Sequence, residues 1–442
     1  MSVVNFISRS ISNSRIKKDV KKLCQSASQS NFTNRGVMAM PYVDTARLLL
    51  VTDLEADNDV YDYQTESDTP GIDFIWGESD VPENILVSGA SAETRCAALL
   101  PFVCKCQQNG ISIIALHTGN RQLENFAKKY SAASELISRN EKYYDAFRAM
   151  PVPDMAHILY ETLEDANSNV TPLLHALLEI VLRTKGSANL QNLASFPLAS
   201  LMDELNELKA KGEVSPDEYD TISRDYMAGS SEVNVVRTFL TKLARQADAI
   251  NGKVRPDACN IRKILKKSGM ICVDVGISNN DLLTSLLINH LMLLQAEGRD
   301  FAIIIDGISI SKFLPLCDLF QERLCAISHN DFVASLFGGE QKGDDLFAKI
   351  VGEMTAIVIF GHKSSTSCQK WSEYLGSYHK IRMKANLSQG DSFFTDTNTR
   401  GNTRSMAGED TEEPRVRAET ISMLTDALAC IYVKNRILLS KM

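Results

Sequence analysis

The chain has 442 residues, of which 44% are hydrophobic and 23% charged, the balance of a folded globular protein and not of a disordered one. Its net charge of −8 argues against wholesale electrostatic binding to nucleic acid, and no apolar run is long enough for a transmembrane helix. The 10 cysteines include no C-x-x-C pair, so a structural zinc site is not expected and reduced thiols are.

The N-terminal segment, residues 1–43, shows no secretory signal pattern. It carries Arg9, Arg15, Lys17, Lys18, Lys21 and Lys22 among Ile7, Ile11, Ile16 and Val20, which reads either as a basic amphipathic helix or as a frayed tail. Ala46 to Val51 reads as a strand, and the acidic stretch from Asp53 to Asp68 as a surface loop. Residues 85–87, 97–106 and 111–116 then alternate as strand, helix and strand. Such a βαβ unit implies a parallel sheet.

Between Glu135 and Ala249 apolar residues recur at helical spacing, as in Leu173, Leu174, Leu177, Leu178, Val181 and Leu182, and β-branched runs are absent. An all-helical insertion is expected there, bounded at 135–260. Strand periodicity returns at 269–275 and 301–306, with a helix from Asp281 to Ala296 between them, and again at 324–327 and 356–360. Residues 386–414 are rich in Ser, Thr, Gly, Asn and Asp and read as a flexible loop, after which a helix (418–424) and a strand (429–433) close the chain. The domain scheme is therefore a tail (1–43), an α/β domain in two pieces (44–134 and 261–442) and the helical insertion (135–260).

The strand at 85–87 leads through Gly89 into a helix, which is the setting of a G-x-x-x-x-G-K-[ST] phosphate loop. Counting from Gly89, the second glycine position holds Thr94, the lysine position Arg95 and the hydroxyl position Cys96. Each replacement removes chemistry. A Cβ makes the left-handed angles of the second glycine costly. Arg95 keeps a positive charge but not a compact ammonium, and Cys96 offers a thiol where a hard magnesium ion wants oxygen. An irregular strand-to-helix turn without nucleotide function is the competing reading. Further on, Phe301 to Asp306 is an apolar strand ending in an acid, the pattern that holds magnesium opposite such a loop; a glutamate to polarise water would follow, but the next residue is Gly307.

In this order the segments resemble the type IV secretion coupling proteins, RecA-like ATPases of bacterial conjugation. Residues 89–101 resemble the family's P-loop and its following proline, 111–116 its second strand, the helical block its all-α domain, and 301–306 its acidic strand. Residues 325–328 running on to 336–339, residues 357–360 with Trp371, Leu375 and Gly376, and 413–417 leading to 431–433 resemble later segments, so that about residues 80 to 440 are covered. The resemblance implies an α/β fold: a RecA-like P-loop NTPase core with a mainly parallel sheet and an inserted all-α domain. It implies a nucleotide site at Gly89, Thr94, Arg95, Cys96, Asp306 and Ser328, where the glutamine that senses the γ-phosphate falls at Ser328. ATP and Mg2+ would be the ligands, with Asp306 holding the metal.

It also implies partners: other secretion components or an active ATPase, and substrate protein or DNA on the all-α domain, in a homo- or hetero-oligomer. A cytoplasmic location follows, with contact to the membrane through those partners. Losing one preorganised contact to a transition state costs about 3–4 kcal/mol, so the several departures point to a degenerate member, a pseudo-ATPase. Two other readings stay open: an active ATPase translocase in which Arg95 works with Glu93 or Asp274, and a protein-interaction scaffold without nucleotide. Of the histidines, His117 and His329 sit at or near strand ends and read either as capped strand-end residues or as facing the nucleotide cleft.

Overall fold

The computed structural model describes residues 48–51, 60–63, 83–130, 134–137, 143–163, 167–251, 258–259, 261–265, 267, 269–275, 281–298, 300–308, 324–336, 343–391, 400–433 and 436–441. The basic N-terminal segment and the acidic stretch read from Asp53 to Asp68 lie largely or wholly outside them. The chain divides into two compact units, one of residues 78–357 and one of residues 1–77 with 358–442.

The first unit holds the site. Its elements in chain order begin with β1 (Ile85–Ser88), α1 (Ala92–Gln108), β2 (Ser112–His117), α2 (Arg121–Tyr130) and β3 (Ser134–Ile137). Six helices follow: α3 (Val152–Thr162), α4 (Val170–Lys185), α5 (Leu190–Ser195), α6 (Leu201–Lys211), α7 (Pro216–Gly229) and α8 (Val233–Asn251). Then come β4 (Met270–Asp274), α9 (Asp281–Ala296), β5 (Phe301–Asp306), β6 (Cys325–His329) and α10 (Gly343–Gly352).

The strands form a parallel sheet in the order β1-β6-β5-β2-β4-β3. Apolar runs such as Ile85-Leu86-Val87 and Ala302-Ile303-Ile304-Ile305 are buried on both sheet faces, which is why they read as unbroken apolar stretches without alternation. One strand, β6, separates the loop-bearing β1 from the acid-bearing β5. The fold of this unit is thus α/β with a parallel sheet, as the sequence led us to expect.

The helical block runs from α3 to α8. Along α4 a wide apolar stripe, Leu173, Leu174, Leu177, Leu178 and Val181, is fully buried; each such side chain contributes about 1.5–3 kcal/mol on burial. Gly186 ends α4 and Gly212 ends α6 in the left-handed conformation, at φ 71° and 74°. The strand β3 and the paired segments Tyr143–Tyr144 and Ala258–Cys259 lie at the edges of this block, inside the span 135–260 that the periodicity assigned wholly to helix.

In the second unit, helix α11 (Ser365–Leu375) buries Trp371 completely. Strands β7 (Ser377–Asp391) and β8 (Arg400–Pro414) pair antiparallel along 15 residues each. Residues 386–414, read from composition as a flexible loop, thus include most of a long hairpin. Polar composition does not prevent pairing, because the ladder uses backbone groups that every residue carries. Helix α12 (Ala418–Met423) and strands β9 (Leu428–Val433) and β10 (Arg436–Lys441) follow, and β10 pairs antiparallel with Leu48–Val51. Among the described residues no helix is long and apolar enough to cross a membrane.

Candidate functional site

The candidate site lies at the carboxyl ends of the parallel strands, where open α/β sheets bind ligands. Strand register sets its floor. Ser328 pairs with Asp306, Asp306 with His117 and His117 with Asp274, so four polar residues stand side by side at or next to the carboxyl ends of four adjacent strands.

The connection above this row is short. β1 ends at Ser88 and α1 begins at Ala92, leaving only Gly89, Ala90 and Ser91 between them. A G-x-x-x-x-G-K-[ST] cradle needs its middle residues free to curl round phosphate, whereas here Ala92, Glu93 and Thr94 are already helical. Gly89 stands at φ 93° and donates its N–H to the His329 carbonyl at 2.9 Å. Ala90 stands at φ 62°, an angle that costs a residue with a Cβ about 1–2 kcal/mol. The Ser91 side chain accepts the Thr94 N–H at 3.3 Å and its hydroxyl lies 3.0 Å from that of Thr94, so Thr94 is engaged in capping α1.

Arg95 turns inward, away from any ligand above the loop. It is 6% exposed, and Asp306 is 2% exposed. Its Nε donates to Ser328 Oγ at 3.0 Å and to Asp306 Oδ1 at 3.3 Å, while Nη1 donates to the Ala90 carbonyl at 3.0 Å. Ser328 Oγ in turn donates to Asp306 Oδ1 at 2.7 Å. The other carboxylate oxygen, Oδ2, accepts from Asn120 Nδ2 at 2.7 Å. Both oxygens of Asp306 are therefore engaged by protein donors, and Arg95 pins the left-handed turn at Ala90 to the acidic strand.

Asn120 is the residue that sequence reasoning missed. Its Oδ1 accepts the N–H groups of Gln122 and Leu123 at 3.0 and 3.2 Å and so opens α2, while its amide nitrogen reaches Asp306. An asparagine between a strand and a helix is a legible cap. That it would reach the acid of a strand 186 residues later is not.

Cys96 is buried, with its thiol 3.6 Å from Asn120 Nδ2. Burial, and then the charge of Asp306, push its pKa up to about 11 against the opposing pull of Asn120 and Arg95, so it stays a neutral thiol. Gly307, where the family's glutamate would fall, stands at φ 68°, and a Cβ added there would lie 3.0 Å from Thr118 Oγ1. The position is built for glycine. Of the other acids weighed, Glu93 is exposed in the first turn of α1, and Asp274 Oδ1 accepts the Gly119 N–H at 2.9 Å.

His117, fully buried, accepts the Asn120 backbone N–H on Nδ1 at 3.0 Å. A backbone N–H can only donate, so in the neutral ring the proton sits on Nε2, which points toward Glu124 Oε1 at 3.8 Å. Burial lowers the pKa of His117, with Asp274 and Asp306 opposing. His117, Glu124 and Asp274 bring ligand-type atoms within 4.8 Å of one another. A metal-bound histidine normally donates its other N–H to an acceptor; here a donor faces Nδ1, and Nε2 has no lone pair to give. His329, at the end of β6, accepts the Asp331 N–H on Nδ1 at 3.0 Å, and burial followed by Arg95 lowers its pKa.

Magnesium, the metal that this type of cleft implies, does not fit these residues. A hard ion demands near-octahedral oxygen ligands at about 2.0–2.1 Å, whereas Asp306 has both oxygens occupied and Cys96 presents a neutral thiol.

No family model matches the chain, and no curated protein matches it. Among solved structures it is similar to the bacterial conjugative coupling protein TrwB in an unbound form, at 14% identity and a TM-score of 0.48, over 83% of this chain and 85% of that one. It is similar to TrwB in complex with ADP and Mg2+, at 14% identity and a TM-score of 0.48, over 82% of this chain and 86% of that one. VirB4 of Thermoanaerobacter pseudethanolicus is similar at 11% identity and a TM-score of 0.47, over 90% of this chain and 97% of that one.

Proposed function

We propose that the protein is a component of a type IV secretion or conjugation apparatus that resembles its coupling ATPases in build and does not hydrolyse ATP. Through the helical block it recruits or passes on a protein or DNA substrate, beside an active ATPase or within a ring of its own kind. The observation that supports this reading is the buried contact of Arg95 with Asp306 and Ser328. The cation that would meet phosphate and the acid that would hold metal neutralise each other inside the protein.

Two further features support it. The three-residue turn is too short to wrap a phosphate chain, and Gly307 has no side chain to orient water. Losses of this kind each cost about 10²–10³ in rate, which removes useful turnover even if they are far from additive. The experiment is a steady-state assay of purified protein with ATP and Mg2+, beside an Arg95→Ala, Asp306→Ala double variant. Equal background rates are expected. Brisk magnesium-dependent hydrolysis that disappears in the double variant would restore the reading of an active ATPase.

A further inference from the structure

We infer that Arg95 is a resident cation: its guanidinium permanently fills the electrostatic place of a divalent ion beside Asp306, so the cleft excludes Mg2+ and Mn2+. The inference starts from the reading above but concerns the metal and not turnover.

The argument is one of occupancy. Asp306 Oδ1 already accepts from Ser328 at 2.7 Å and from Arg95 at 3.3 Å, and Oδ2 accepts from Asn120 at 2.7 Å. A divalent ion would have to displace at least one of these donors and then sit against a buried guanidinium, at a site with almost no water to screen the repulsion. The guanidinium cannot relieve this by losing its proton. Nor can it swing out cheaply, because Nη1 also holds the carbonyl of Ala90, a residue kept at a left-handed angle. The neighbouring histidine does not provide a second home for the ion, since the proton on His117 Nε2 blocks the only nitrogen that points at Glu124.

The same argument identifies what holds metal out. Removing the guanidinium would leave a buried carboxylate with one hydroxyl and one amide beside it and a space where the cation stood. Such a pocket seeks a positive ion. The Arg95→Ala variant should therefore acquire metal affinity that the natural chain lacks, the reverse of what deleting a phosphate-binding cation normally does.

The test is titration of the nucleotide-free protein with Mn2+, followed through the electron paramagnetic resonance of the free ion. The wild-type chain should leave the free-ion signal unchanged, and Arg95→Ala should bind one Mn2+ at least about tenfold more tightly than wild type. Arg95→Ala binding no better than wild type overturns the inference. So does a wild-type site for one Mn2+ that Asp306→Asn abolishes, and that result is readable even if Arg95→Ala does not fold. Mn2+ bound at Asp306 without ATP turnover would sink this inference alone, whereas turnover is what would sink the reading of a non-hydrolysing component.

Discussion

At the scale of single residues, the central feature is the buried ion pair of Arg95 with Asp306. Arg95 and Asp306 were legible as candidates because each sits at a fixed offset from a local landmark, Gly89 in one case and the end of an apolar strand in the other. Their mutual contact was not legible. It depends on β6 lying between β1 and β5 and on Ser328 standing at the paired position, which no local pattern encodes. A second buried group, His290, lies away from the cleft and carries a prediction of its own. Its Nδ1 lies 3.0 Å from the Tyr144 hydroxyl, and burial first, then Arg262, lower its pKa from 6.5 to about 3 against the pull of Glu297. The unfolded chain takes up a proton at this residue as pH falls through 6.5, while the folded chain refuses it until about pH 3. The stability linked to His290 is therefore intact above pH 6.5 and lost progressively below it, at about 1.4 kcal/mol per pH unit. Denaturant midpoints of wild type and His290→Gln, compared from pH 8 down to pH 4.5, should converge as pH falls. Parallel curves would mean that His290 is readily protonated in the fold.

At the scale of elements, type was more legible than boundary. The helix expected from Ala97 in fact starts at Ala92, because Ser91 caps it and the intervening Glu93 and Thr94 are good first-turn residues there. That shift of five residues leaves only Gly89, Ala90 and Ser91 between the strand and the helix. Pro101 lies inside the same helix and, lacking an N–H, cannot donate to the Ala97 carbonyl four residues back. Close helix crossings were not legible at all. Gly229, the last residue of α7, lies where an added Cβ would fall 2.5 Å from Leu173 Cβ and 2.6 Å from the Asn169 carbonyl at the start of α4. Nothing in its sequence neighbourhood marks it as a contact glycine. Gly229→Ala must push α7 off α4, and we expect a loss of about 1–3 kcal/mol. Gly352→Ala, at the end of α10 with nothing within 4 Å of its Cβ, should be neutral or slightly stabilising. Thermal unfolding of the two variants side by side checks this, and equal midpoints would show that the α4–α7 crossing has slack.

At the scale of the molecule, a run of helices from Val152 to Asn251 stands in chain order between strands of the parallel sheet. Whether the helical block is a separable domain is a question of surface. Helix α9 is apolar almost all round: Leu283, Leu286, Leu287, Ile288, Leu291 and Leu294 are buried, at relative exposures between 0% and 5%. A helix of that kind needs cover on more than one side. It crosses between β4 and β5 of the core, and the block meets it as well. Asn289 Nδ2 donates to Thr162 Oγ1 of α3 at 3.1 Å, and the Leu283 N–H donates to Gln246 Oε1 of α8 at 2.9 Å. Both ends of the block are thereby tied to one helix of the α/β core, and the two share one compact unit. Excising residues 152–251 behind a short Gly-Ser linker should therefore expose a large part of α9 and give a chain that binds a hydrophobic dye and melts without a cooperative transition, instead of a smaller well-folded core. If the excised chain stayed soluble, dye-silent and cooperative, α9 would be covered by the core alone. The block would then be an appendage free to move, uncoupled from the strand ends where Arg95 and Asp306 meet.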